Sequence, residues 1–126
     1  MGSPQKINEP AGPYLVSVWT DPDPLRVDEV HVTVAVIDPQ TQAPILDSRV
    51  TVLLASLEEE SVSFSAPATQ ENSRLKFLYV AVFEPPFAGP WRGTVIVDGR
   101  MDPVRRLVLM LRCCRGRRST GGWLAL

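Results

Sequence analysis

The chain has one histidine, His31, and two cysteines, Cys113 and Cys114, which are neighbours. Adjacent backbone geometry disfavours a disulfide between them, and the chain offers neither a distant partner. A body without cysteine fits a reducing compartment or an exported domain that needs no disulfide. A protein metal site wants three or four donors, and His31 has no spaced Cys or His partners. No glycine-rich phosphate loop is present, no serine sits in a nucleophile elbow, and no two carboxylates are placed to act as acid and base. These absences predict a protein that is not an enzyme. The run at residues 107–111 falls far short of the roughly 20 apolar residues that span a bilayer. Met1-Gly2-Ser3-Pro4-Gln5-Lys6 is polar, without the apolar stretch of a signal peptide. Helical periodicity is missing throughout.

What is present is apolar content in short pieces. The 126 residues are 44% hydrophobic, enough for one core and too few for two. Twelve prolines and eight glycines stand mostly between the apolar runs, which is the punctuation of a chain that turns often. In residues 28–37, Val30, Val32, Val34 and Val36 alternate with Glu29, His31, Thr33 and Ala35. Period two puts four valines on a core face. Residues 49–55 repeat the pattern with Val50, Val52 and Leu54. Strands are also expected at 14–20, around Val62, Phe64 and Ala66, at 75–83, at 91–97 and at 104–111. Asp98-Gly99 is a hairpin signal between the last two. No loop is long enough for crossover helices. The expectation is an all-β, immunoglobulin-like, two-sheet antiparallel sandwich of about seven strands over residues 13–111. Residues 1–12 read as a flexible lead-in and 112–126 as a basic irregular tail.

Several segments resemble the YtkA-like family of small extracytoplasmic sandwiches, related to the FixH family. They are Pro13-Tyr14 through Asp21-Pro22-Asp23-Pro24, Leu25-Arg26-Val27-Asp28 before the valine strand, Ala43-Pro44-Ile45 before Arg49-Val50-Thr51-Val52, Tyr79, and Ala88-Gly89-Pro90-Trp91. The resemblance covers roughly residues 13–98. It implies an exported immunoglobulin-like module, often tethered by a membrane helix and linked to respiratory-oxidase or copper biology. The family usually has Gly where Asp28 stands and small residues where Asp47-Ser48 stand. The Met and His residues that would support copper are nearly absent from the body.

Four features carry candidate chemistry. His31 lies on the strand face opposite the valines, either as a copper or zinc ligand or as an exposed strand histidine. Met101, Met110, Cys113 and Cys114 are soft donors without the spacing that holds one Cu(I) ion. Glu58-Glu59-Glu60 reads as a solvated turn, since no calcium-loop glycine follows. The most informative feature is the 75–83 segment. Leu75, Phe77, Tyr79, Ala81 and Phe83 share one face, while Leu78, Val80 and Val82 share the other with only Lys76 polar. A sandwich strand has one wet face, so either a loop or the lead-in covers the second face, or it docks a partner or a second copy. Trp19 and Trp91 are expected to pack at strand ends, and Tyr79 to be buried with its hydroxyl bonded.

Charge is unevenly spread. Residues 1–99 carry six Lys/Arg and thirteen Asp/Glu, a net −7, whereas residues 100–126 carry seven Arg against Asp102, a net +6. That is not the basic domain surface of a nucleic-acid binder. The arginines around 105–118 fit a solvated tail, the flank of a membrane anchor, or a polybasic contact with a membrane surface. Together the expectations describe a non-enzymatic binding or accessory module without a cofactor. It would be extracytoplasmic or membrane-associated, part of a membrane or respiratory assembly, with Leu78, Val80 and Val82 as partner-binding residues. A copper-handling domain using His31 and an adhesion-type spacer are the alternatives.

Overall fold

The computed structural model describes residues 3–21, 25–27, 29–72, 75–98 and 105–114. Among these residues nine strands form two sheets: β1 (Ser3–Ala11), β2 (Tyr14–Asp21), β3 (Leu25–Arg26), β4 (Val30–Ile37), β5 (Arg49–Ser56), β6 (Ser63–Ala68), β7 (Tyr79–Phe83), β8 (Gly89–Asp98) and β9 (Arg105–Cys114). The first sheet has the order β1-β2-β4-β7 and the second β3-β9-β8-β5-β6. All pairings are antiparallel except the two-residue match of β3 with β9. No α-helix occurs among the described residues; a single 3-10 turn spans Gln70–Asn72. The architecture is an all-β sandwich.

Alternation builds the core. Val30, Val32, Val34 and Val36 are all buried, with Val16 and Val18 of β2 on one side and Tyr79, Ala81 and Phe83 of β7 on the other. Facing them are Val50, Val52 and Leu54 of β5, Trp91, Val95 and Val97 of β8, and Leu107, Leu109 and Leu111 of β9. Each such valine or leucine contributes about 1.5–3 kcal/mol relative to exposure. Gly93 stands on this inward face because a Cβ there would come within 3.1 Å of a Leu111 methyl.

Three expectations about the strands change. Residues 3–11 are strand β1 rather than flexible lead-in. Pro4 and Pro10 lack an amide hydrogen, which is tolerated at a sheet edge. Register shifts between Pro4 and Lys6 and between Lys6 and Glu9 accommodate the polar residues. The last strand runs to Cys114, so residues 112–114 belong to the sheet and not to a tail. The strand expected over 75–83 begins only at Tyr79, because the chain turns first, with the Leu78 amide donating to the Leu75 carbonyl. That strand has no room to start earlier. The edge of β4 it would extend along is taken by Pro44 and Ile45, whose amide donates to Val36 at 2.8 Å. The Asp98-Gly99 turn lies outside the described residues, but β8 and β9 pair antiparallel from Gly89↔Cys113 to Val97↔Arg105.

Candidate functional site

The shortened β7 decides the fate of the apolar face read from its sequence. Leu78 is 3% exposed and Val80 7%, while only Val82 stands out, at 40%. Val80 is paired on both edges, in register with Thr33 of β4 and exchanging two backbone hydrogen bonds with Thr69. Thr69 follows β6, so the chain crosses from one sheet to the edge of the other and closes this side. Leu78 and Val80 are therefore buried within the chain, and of the three expected partner-binding residues Val82 alone is open to solvent. The outward face of the first sheet is closed elsewhere too. Ser17, Thr33 and Ala35 point outward yet are buried, and the Asn8 amide, at φ 50°, donates to Ser17 Oγ at 2.8 Å. Trp19 is half-buried on the same face, not in the core.

His31 sits on that face between Asp21 and Val82 in register. Its Nε2 lies 2.6 Å from Glu29 Oε2, with both side chains well exposed. Such a pair contributes about 0–1 kcal/mol. Among the described residues no group of three His, Cys, Asp or Glu side chains is gathered to hold a metal ion.

One end of the sandwich holds an open cleft of about 650 Å³ between the start of β5, the end of β6 and Tyr79. The Tyr79 hydroxyl forms its floor, donating to the Ile45 carbonyl at 2.7 Å and accepting from the Ser48 amide at 3.3 Å. Burial, reinforced by the charge of Asp47, raises the Tyr79 phenol above its ordinary value, with the Ser48 amide opposing. Asp47, Arg49, Glu71 and Asp98 ring the cleft with charges of both signs. The phenol is fully engaged in pinning the loop before β5, so its role there is architectural. At the other end Trp91 stacks on Phe87 at 5.2 Å and lies 6.1 Å from Phe64, its indole N–H buried without a partner.

Exposed apolar side chains are spread over the described residues, Leu75, Phe77 and Val82 among them, and two of them, Val108 and Met110, stand together on the outward face of the second sheet. The leucines of β9 point inward, so Arg106, Val108, Met110 and Arg112 point outward and all four are exposed. Val108 and Met110 are 50% and 65% exposed, the latter the most exposed large apolar side chain among the described residues. Across the sheet, Ile96 is opposite Arg106, Thr94 opposite Val108, Arg92 opposite Met110 and Pro90 opposite Arg112. Leu53 and Ala55 of β5 continue the surface behind Thr94 and Arg92. Arginine and apolar residues thus interleave in both directions on one flat face.

Its charge is one-sided. Of the carboxylates among the described residues, Asp98 alone lies on a strand of the second sheet; it follows Thr94 and Ile96 on the outward side and is in register with Arg49 at one end of this face. At the opposite end the Glu58 carboxylate lies beside Gly89. No ion pair among the described residues engages Arg92, Arg106 or Arg112. Cys113, inward on β9, is buried, which together with neighbouring Cys114 pushes its thiol up to about 11. No helix among the described residues is long and apolar enough to cross a membrane.

Comparison with known proteins adds no relative: no family model, no curated protein and no solved structure matches the chain.

Proposed function

We propose that this chain is a non-enzymatic binding or accessory module that works through the outward face of β9, β8 and β5. The observation that carries the reading is the exposed alternation of Arg106, Val108, Met110 and Arg112 beside Arg92, on a sheet whose inward side is a filled core. Solvent-facing strands normally carry polar residues there, and large apolar side chains left exposed among charges mark a contact surface. We assign the sandwich to the immunoglobulin-like type. The support is that β2-β4-β7 and β9-β8-β5 divide the strands as the two sheets of such domains do, with β3 running parallel to the last strand. The extracytoplasmic part of the reading rests on the YtkA-like and FixH-like motifs.

Photocrosslinking in the native cell tests the surface. A photoreactive residue at position 110 should give adducts, to protein or to lipid, and one at position 82 should give none. Adducts from 82 with none from 110 would contradict the reading.

A further inference from the structure

We infer that this face rests on an anionic lipid surface, a step that takes the proposed binding face as given and names what covers it. The first argument is charge. The outward side of β8 and β9 carries Arg92, Arg106 and Arg112, and the one carboxylate on these strands, Asp98, is in register with Arg49, although the chain as a whole has net charge −1. The remaining described carboxylates stand on the first sheet or in connections. A molecule of nearly balanced charge therefore presents one positive side. The sequence directly after β9, Arg115-Gly116-Arg117-Arg118, adds three charges of the same sign.

The second argument is the pattern. Protein–protein interfaces concentrate apolar side chains in a core depleted of charge and leave charges to the rim. Here Arg92, Arg106 and Arg112 each have an apolar cross-strand neighbour: Arg106 faces Ile96, Arg92 faces Met110 and Arg112 faces Pro90. Arg92 stands beside Met110 inside the face, so its middle is not free of charge. A bilayer interface accepts the mixture, because guanidinium groups sit at phosphate depth while their methylene stems and neighbouring apolar side chains enter the acyl boundary. From Arg106 to Arg112 the strand extends about 20 Å, long enough to meet several headgroups at once. Val108 and Met110 lie at its middle and project as the apolar contact. Each arginine near an anionic leaflet is expected to raise partitioning about fivefold, and the three together on the order of 100-fold.

The test uses the purified full chain and sedimentation with vesicles of phosphatidylcholine alone or mixed with phosphatidylglycerol. Binding to the mixed vesicles, weak binding to phosphatidylcholine and release by salt are expected. The R92Q/R106Q/R112Q variant should lose on the order of 100-fold in partitioning, and V108S/M110S about tenfold, with unchanged thermal midpoints. The comparison variant R115Q/R117Q/R118Q separates the face from the sequence that follows it. The inference is overturned if the full chain leaves mixed vesicles unbound at low salt. It is equally overturned if the face variants bind like the parent while the R115Q/R117Q/R118Q variant loses everything. Protein adducts from position 110 without vesicle binding would keep the binding face and reject lipid as its occupant, in favour of an acidic protein.

Discussion

Strands β4 and β9 follow the same alternation and use it differently. Each puts three or four branched aliphatic side chains into the core, valines from β4 and leucines from β9. On the outward side β4 carries His31, Thr33, Ala35 and Ile37, of which Thr33 and Ala35 are buried. The outward side of β9 carries Arg106, Val108, Met110 and Arg112, all open to solvent. Small residues stand where the outward side of the first sheet is buried. Large apolar and cationic residues keep the second sheet open. The inward pattern makes the sandwich; the outward pattern separates a closed face from an open one.

The most severe way to break this comparison is to place a carboxylate on either side of it. Val34→Asp buries an unpaired charge and is expected to cost on the order of 4–5 kcal/mol, leaving little folded protein. Met110→Asp should change stability by no more than about 0.5 kcal/mol. Urea unfolding of the two variants measures the difference, and similar losses would contradict the inward and outward assignments. Next in size is Tyr79→Phe, which strips the Ile45 carbonyl and the Ser48 amide of their partner and should cost about 1–2 kcal/mol by the same measurement.

Alkaline pH should show a smaller effect. Cys113 and Tyr79 hold their protons more tightly when folded, so their contributions are whole below their ordinary values of 9.0 and 10.0. They are lost as pH rises through the folded values, about 11 for Cys113. The urea midpoint should therefore fall above pH 9, Cys113→Ala should flatten the first part of that fall, and Tyr79→Phe the part above pH 10. A midpoint that is level across this range in the parent protein would count against both buried groups. The smallest effect is kinetic. Half-buried Cys114 should react with a thiol reagent at mild pH well before buried Cys113. Equal labelling rates would show that β9 does not turn Cys113 inward.

Much of this was legible in the chain. The valine alternation from Val30 to Val36 specifies the core face of β4, and it lies there. Trp91 is buried and the Tyr79 hydroxyl is bonded, as expected of large rings with one polar atom. The prolines at 4 and 10 concealed β1, because proline argues against a central strand and only three-dimensional context makes it an edge. The 75–83 run misled for a different reason. Period two describes a strand only where a partner edge is free, and Pro44 with Ile45 had already taken the edge of β4 that Leu78 would need. Residues 106–112, Arg-Leu-Val-Leu-Met-Leu-Arg, carried the missed signal. Leucine at every second position marks the inward side, so the arginines, valine and methionine had to face out together. Taken as a plain apolar run grading into a basic tail, that segment hides its second face.

The central claim is that the outward face of β9 is covered when the protein works. Met110 reports on it directly, because a thioether so exposed oxidises readily. Its oxidation by dilute peroxide should be followed by peptide mass spectrometry, for the protein free in solution and bound to anionic vesicles. Rapid sulfoxide formation in solution and strong protection on the vesicles is the predicted result. Equal oxidation rates in the two states would contradict it.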